Sequence, residues 1–242
     1  MAHGQRIFLS AEWRDLVMLN YEVDRKLLSG YVPPGTVLDS FQGRTYVSLV
    51  GFRFRHTKLF GFLPVPFHAD FDEVNLRLYV RRDEGNESRR GVVFIAEIVP
   101  KRAVAQIARV AYGENYVRLP MAHSIDTNWT SNTVDYRFQL NGAWCKLHAR
   151  SAVAPAPADE GSLEQFITEH NWGYSAQSDG GTIEYHVSHI PWNVGVSTAA
   201  GFEGDASRVY GVELAKVLQR CPDSAFIADG SPITVFGGKR IT

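Results

Sequence analysis

Glu73, Asn75, Arg77 and Tyr79 occupy every second position of FDEVNLRLYVRR, interleaved with Val74, Leu76, Leu78 and Val80. Period-two alternation puts the polar set on one face of a strand and the aliphatic set on the other. A guanidinium between a carboxylate and a phenol can clamp a carboxylic acid through two parallel hydrogen bonds, with Glu73 as acid or base beside it. The same alternation also describes a strand whose aliphatic face meets the core and whose polar face meets water. Glu114 poses a similar choice. In YGENY, amid Tyr112, Tyr116 and Arg118, it either lines a pocket or ends a helix paired with Arg118 or Arg109.

The other reactive residue types are less suggestive. His170 alternates with Trp172 and Tyr174 in TEHNWGY, with Glu169 and Glu184 as partners to consider. His186 and His189 lie three apart on an expected strand, which sends them to opposite faces, a poor metal geometry. A structural belt of aromatics and histidines is the simpler account, and no metal or cofactor is expected. His68 follows a proline-rich loop. Cys145 sits in an alternating strand. The sequence has no G-x-S-x-G elbow, Walker loop or dinucleotide fingerprint. The arginine pairs at 81–82 and 89–90 flank a hairpin connection and read either as an anion site or as a solvated hairpin end. Amines are scarce: the lysines are Lys26, Lys58, Lys101, Lys146, Lys216 and Lys239.

The elements that must hold these residues are mostly strands. Arg44–Arg55, Val74–Val80 and Gly91–Val99 are rich in β-branched and aromatic residues, the last two joined by a polar connection over 83–90. Pieces at 115–119, 125–130, 133–140, 144–153, 182–189 and 192–197 continue the pattern, with Asn141-Gly142 as a two-residue hairpin turn. Residues 225–228 and 233–236 read as a closing hairpin split by Gly-Ser-Pro. Helices are expected at about 11–19, from Asp24 through Leu28, at 103–112, from the capping box at Ser162 to about Glu169, and at 207–218. The whole of 1–242 reads as one domain, mainly β with inserted helices (α+β), its antiparallel sheet curled or closed rather than wound in βαβ units.

A net charge of -1 over 242 residues argues against a nucleic-acid partner. No apolar run is long enough to span a bilayer, and MAHGQRIFLSAEWRD lacks the apolar core of a signal peptide. A cytoplasmic location with no membrane partner is therefore expected. Homo-oligomer formation is left open.

Several longer stretches carry a family resemblance: MLNYEVDRKLLSGYVPPGTVLDSFQGRTYVSLVGFRF (18–54), FDEVNLRLYVRR, RRGVVFIAEIVP, YGENYVRLPM, SLEQFITEHNWGY and PDSAFIADGSPITVFGG. Together they resemble the YqjF-like family, domain of unknown function 2071, which is in turn similar in fold to the acetoacetate-decarboxylase-like superfamily. That resemblance implies a bent, cone-like antiparallel barrel around an apolar cavity. It also supplies a mechanism to test, since the decarboxylases use a lysine that forms a Schiff base with a β-keto acid. Their motif, similar to G-R-E followed by G-F-P-K-K, fits this chain in two ways. One runs Glu97 to Arg102 and keeps an amine at Lys101. The other runs from Gly113-Glu114 to Leu119-Pro120-Met121, follows the expected helix as in the decarboxylases, and is preferred for that order of elements. It puts Met121, whose thioether cannot form an imine, in the nucleophile's place. Glu73 falls where the decarboxylases have a cavity carboxylate.

The resulting expectation is a small-molecule-binding domain whose ligand is an apolar or weakly acidic metabolite. Its candidate contacts are Glu73, Asn75, Arg77, Tyr79, Glu114 and Met121. Its rival is a lyase, or another enzyme of carbonyl chemistry, using Lys101 or Lys146. A third reading is a scaffold whose cavity is filled core.

Overall fold

The computed structural model describes residues 6–64, 69–101, 113–127 and 132–242. The expected helix at 103–112 and His68 lie outside the described residues. β1 (Ile7–Val23) leads into α1 (Arg25–Leu28), whose first turn is capped by the Asp24 carboxylate accepting from the Lys26 N–H at 2.8 Å. Then come β2 (Val37–Leu38), β3 (Thr45–Leu59), β4 (Leu63–Pro64), β5 (Phe71–Glu84), β6 (Glu87–Val99) and β7 (Tyr116–Arg118). β8 (Met121–Thr127), β9 (Asn132–Leu140) and β10 (Ala143–Ser151) are followed by β11 (Ala156–Pro157) and α2 (Leu163–Thr168). The chain finishes with β12 (Trp172–Ala176), β13 (Thr182–His189), β14 (Asn193–Val196), β15 (Ala199–Glu203), α3 (Ser207–Tyr210), α4 (Val212–Leu218), β16 (Ser224–Phe236) and β17 (Lys239–Arg240).

β16, β1, β3, β5, β6, β12 and β13 are hydrogen-bonded in that order, and β13 returns to β16 through Val187↔Val235 and its neighbours. The sheet therefore curls into a ring. Its pairings are antiparallel except β6 with β12 and β6 with the short β7 beside it. A second antiparallel sheet, β15-β10-β9-β8, packs outside it. Its β9–β10 turn is Asn141-Gly142, with φ of 52° and 81°, the left-handed pair that matches strand twist in a two-residue hairpin.

The ring separates two apolar cores. Outside it, Val17, Leu19, Val47, Leu49, Val74, Leu76 and Leu78 bury against Tyr136, Phe138 and Leu147 of the second sheet and Leu214 and Leu218 of α4. Inside it lie Leu16, Met18, Val50, Phe52, Phe54, Tyr185 and Phe226. Adjacent residues of one strand thus enter opposite cores, as the pleat requires.

This arrangement explains where the observed elements depart from expectation. Residues 11–19 form part of β1, not a helix. A strand buried on both faces loses its alternation and reads as a continuous apolar run, which periodicity alone does not distinguish from a helix. The expected hairpin over 225–236 is the single strand β16, paired with β1 from Ser224 to Phe236. Gly230 sits there at φ 75°, and a Cβ would run into the Trp13 carbonyl on β1, so the glycine serves close strand approach, not a reversal. The expected helix over 207–218 is broken in two at Gly211, φ 80°.

Candidate functional site

The register of three strands sets one polar row. Asn75 on β5 faces Glu97 on β6, and Glu97 faces Tyr116 on β7. Residues directly opposite in adjacent strands project to the same side. Glu73 and Arg77, two positions either way from Asn75, project with it. All four side chains of the polar face of β5, Glu73, Asn75, Arg77 and Tyr79, are buried. The solvent-facing reading of that strand is therefore corrected: both its faces are core.

Glu73, Asn75, Arg77, Glu97, Glu114 and Tyr116 line one cavity of about 110 Å³ inside the ring. The rest of its wall, Thr57 aside, is apolar and aromatic, including Trp13, Phe52, Phe54, Phe71, Phe94 and Trp192. Trp13 holds this wall together, edge-on to Phe52 at 5.3 Å and to Trp192 at 6.0 Å between ring centroids.

Hydrogen bonds tie several of these polar groups together. Asn75 Nδ2 donates to Glu73 Oε1 at 3.0 Å, and Tyr116 Oη donates to Glu73 Oε2 at 3.4 Å. Glu97, opposite Tyr116 in the strand register, interacts with both Tyr116 and Glu114. Two carboxyl groups can bond to each other only when one carries a proton. Tyr185, from β13, donates to Glu114 Oε1. Arg118 is not an observed partner of Glu114, and Arg109 lies outside the described residues.

Burial in this apolar setting pushes all three carboxyls up. Glu73 rises to about 8, through loss of hydration and then the charge of Glu114, against the bonds from Asn75 and Tyr116 and the charge of Arg77. Glu114 rises to about 7, again through burial, against the bonds from Tyr185 and Glu97. Glu97 is raised well above the ordinary carboxylate range by burial and by both neighbouring carboxylates. The site can therefore hold carboxylic acid and carboxylate together near neutral pH.

Among the described residues, four buried polar atoms of the lining have no hydrogen-bond partner: Trp13 Nε1, Thr57 Oγ1, Asn75 Oδ1 and Glu97 Oε2. Arg77 is also incompletely matched. Its Nε donates to Tyr79 Oη at 3.4 Å and its terminal nitrogen to the Ile167 carbonyl at 3.2 Å, yet among the described residues no carboxylate lies within ion-pair distance. A buried guanidinium without a counter-charge favours an anion beside it.

The other expected residues lie elsewhere. Tyr79 is on the same strand face but beyond the cavity, its hydroxyl 2.6 Å from Ser48 Oγ and its ring against Phe166 and His170. Met121 opens β8 in the second sheet and packs against the outer core, so it is not a cavity contact. All six lysines are among the described residues, and none is in the cavity lining. Lys146 is on β10, 3.4 Å from Asp135. Lys101 follows β6 at the edge of the described segment. His170 pairs with Asp39 at 3.0 Å and the Phe166 carbonyl at 2.6 Å, in place of Glu169 or Glu184. Glu184 instead takes Arg82 and Arg89, while Arg81 and Arg90 pair with Asp83 and Asp39, so the hairpin arginines are matched internally.

Glu97, Tyr116 and Tyr185 were not among the expected contacts. For Glu97 a signal exists: it is the one charge inside the apolar run VVFIAEIV, a position that needs a reason. No local signal marks Tyr185, which reaches the site only because β13 closes the ring.

Comparison with known proteins agrees with this architecture. The family model DUF2071, described as an uncharacterized conserved protein, matches residues 10–232. The uncharacterized protein YqjF of Bacillus subtilis (strain 168) is 26% identical over 185 residues, 74% of this chain and 72% of the relative. Among solved structures, an acetoacetate decarboxylase from Legionella pneumophila has a TM-score of 0.65 at 14% identity, covering 97% of this chain and 87% of that one. The enduracididine biosynthesis enzyme MppR complexed with pyruvate reaches 0.68 at 14% identity, covering 100% and 93%. An acetoacetate decarboxylase-like enzyme from Sphingomonas wittichii RW1 reaches 0.66 at 12%, covering 97% and 93%. These TM-scores show a shared fold. No described helix is long and apolar enough to cross a membrane.

Proposed function

This chain belongs to the DUF2071 family and has the acetoacetate-decarboxylase-like fold, and on that premise we propose that its ring cavity binds a small 2-oxo acid. The observation that carries the reading is Arg77, buried with no carboxylate partner among the described residues, in the same cavity as Asn75 Oδ1 and Glu97 Oε2, which have no hydrogen-bond partner there either. The acid's carboxylate sits on the guanidinium, its carbonyl faces the carboxyl cluster, and its short apolar end meets the aromatic wall. Size is consistent with this: a cavity of about 150 Å³ admits benzene, so a space of about 110 Å³ suits a compound slightly smaller. Pyruvate bound to the structurally similar MppR is a ligand of that class. Imine chemistry by Lys101 or Lys146 draws no support from the placement of either amine.

Thermal denaturation with pyruvate, 2-oxobutanoate and pyruvamide tests the reading. A ligand that binds only the folded state raises Tm, by about 2.7 kcal/mol of stabilisation at a hundredfold excess over Kd. The two acids are expected to raise Tm and the amide to do so less. Arg77→Lys, which keeps the charge but loses the planar fork, is expected to weaken the acids about tenfold or more. Equal shifts for acid and amide, or no shift with any of the three, would sink the reading.

A further inference from the structure

We propose that Glu73, Glu97, Glu114 and Tyr116 form a closed proton relay that interconverts the keto and enol forms of the bound 2-oxo acid without a covalent bond to the protein. The inference rests on the reading that the cavity takes such an acid. Its geometric basis is the placement of Glu114, Glu97, Tyr116 and Glu73 side by side on the wall of one cavity, with Glu97 opposite Tyr116 in the strand register and Tyr116 Oη 3.4 Å from Glu73 Oε2. A merely structural cluster has no need of two carboxyl groups at the ends of a wire that both reach the same space.

The step balances within the site. The Glu114 carboxylate removes a proton from the carbon next to the carbonyl, and the C–H electron pair becomes the enol double bond. The carbonyl oxygen takes a proton from the Glu73 carboxyl as its π bond opens. Glu114 is then an acid and Glu73 a carboxylate. Tyr116 passes its proton to Glu73 and receives one from Glu97, which receives one from Glu114. The starting protonation is restored, with no oxidant, reductant or amine consumed. Glu114 and Glu73 have the base and acid roles, since Glu114 accepts the hydrogen bond from Tyr185 and is the less strongly raised of the two. Neutral Tyr116 is suited to relay because burial keeps its hydroxyl protonated. Glu97 and Tyr116 are positioning and relay residues in this scheme.

Exchange of the pyruvate methyl protons in D2O, followed by proton NMR with the full-length protein, tests the step. The wild type is expected to accelerate exchange over buffer by about 10²-fold or more, the usual reach of positioned acid–base groups. Glu114→Gln should remove the acceleration while pyruvate still raises Tm. Glu97→Gln should slow exchange about tenfold and change the shape of its pH profile, with Glu97→Asp recovering part of the rate. Lys101→Met should leave it unchanged. If Glu114→Gln does not fold, Glu73→Gln carries the same test from the acid side. Binding of pyruvate with exchange at the buffer rate would overturn the relay and leave the binding reading standing. Absence of binding would overturn both. A lysine adduct trapped by borohydride during exchange would overturn the amine-free step.

Discussion

The carboxyl cluster makes a claim about stability as well as chemistry. Glu73 and Glu114 titrate near 8 and 7 in the folded chain against an ordinary 4.5, and Glu97 is raised too. The groups facing them are Arg77, which pulls Glu73 back, and the neutral Asn75, Tyr116 and Tyr185. Between about pH 4.5 and 8 the folded state holds protons that the unfolded state has released. Stability from Glu73 and Glu114 is therefore greatest below about pH 4.5, falls as pH rises, and levels off above about pH 8, and Glu97 adds a fall of the same sign. Each group contributes a slope of up to about 1.4 kcal/mol per pH unit. Glu97→Gln replaces a carboxyl that must stay protonated with a permanently neutral group. Urea unfolding at pH 5, 6.5 and 8 should show wild-type stability falling relative to the variant across that range. A difference that stays flat, or grows in the wild type's favour, would contradict the raised carboxyls. Glu73, Asn75 and Arg77 were legible because polar groups alternate with an aliphatic face. Which face was buried was not legible, since strand alternation looks the same whether the polar side meets water or a cavity. His170 was legible as a paired histidine, but its partner Asp39 is 131 positions away in sequence.

At the scale of elements, two strands meet at Gly173. It lies on β12 opposite Tyr185 on β13, and a Cβ there would fall inside the Tyr185 ring. Tyr185 is the residue that bonds Glu114, so the glycine fixes a site residue through strand packing. Gly173→Ala is expected to cost about 1–3 kcal/mol by overpacking and to weaken pyruvate binding by moving Tyr185. In a Tyr185→Phe background, where the bond to Glu114 is already gone, the added loss of binding should be small. Urea midpoints and ligand-induced Tm shifts of the four proteins complete the cycle. Fully additive binding losses would disconnect the glycine from the site. The elements themselves were most readable where one signal dominated, as at the Asn141-Gly142 turn and the Ser162 cap, whose Oγ accepts from the Gln165 N–H at 3.1 Å. They were least readable in β1 and β16, where burial on both faces or an in-line glycine imitates other structures.

For the whole molecule, one ring wall serves two cores of different purpose. The resemblance to the decarboxylase-like fold made the curled sheet and its cavity foreseeable, but strand patterns alone do not assign residues to its inside or outside. The structure makes that assignment, and it can be tested by substitution. Leu147 on β10 is fully buried in the outer core, where it sits beneath Gly51 of β3 together with Tyr136. Phe52, the next residue on β3, faces the inner core and lines the cavity. Leu147→Ala removes packing between the two sheets and is expected to cost about 2–5 kcal/mol, and Phe52→Ala about 3–5 kcal/mol. Their stability losses overlap, whereas their effects on binding should not. Leu147→Ala leaves the cavity wall in place, so the Kd for pyruvate should stay within about twofold of wild type wherever the protein is folded. Phe52→Ala opens the wall beside Trp13 and enlarges the cavity, so affinity for pyruvate should fall and that for bulkier 2-oxo acids should rise relative to it. Calorimetric titration well below each variant's Tm separates binding from unfolding. Equal loss of affinity in the two variants would mean that the ring transmits strain across its wall, and that the outer core, far from being a support alone, belongs to the binding site.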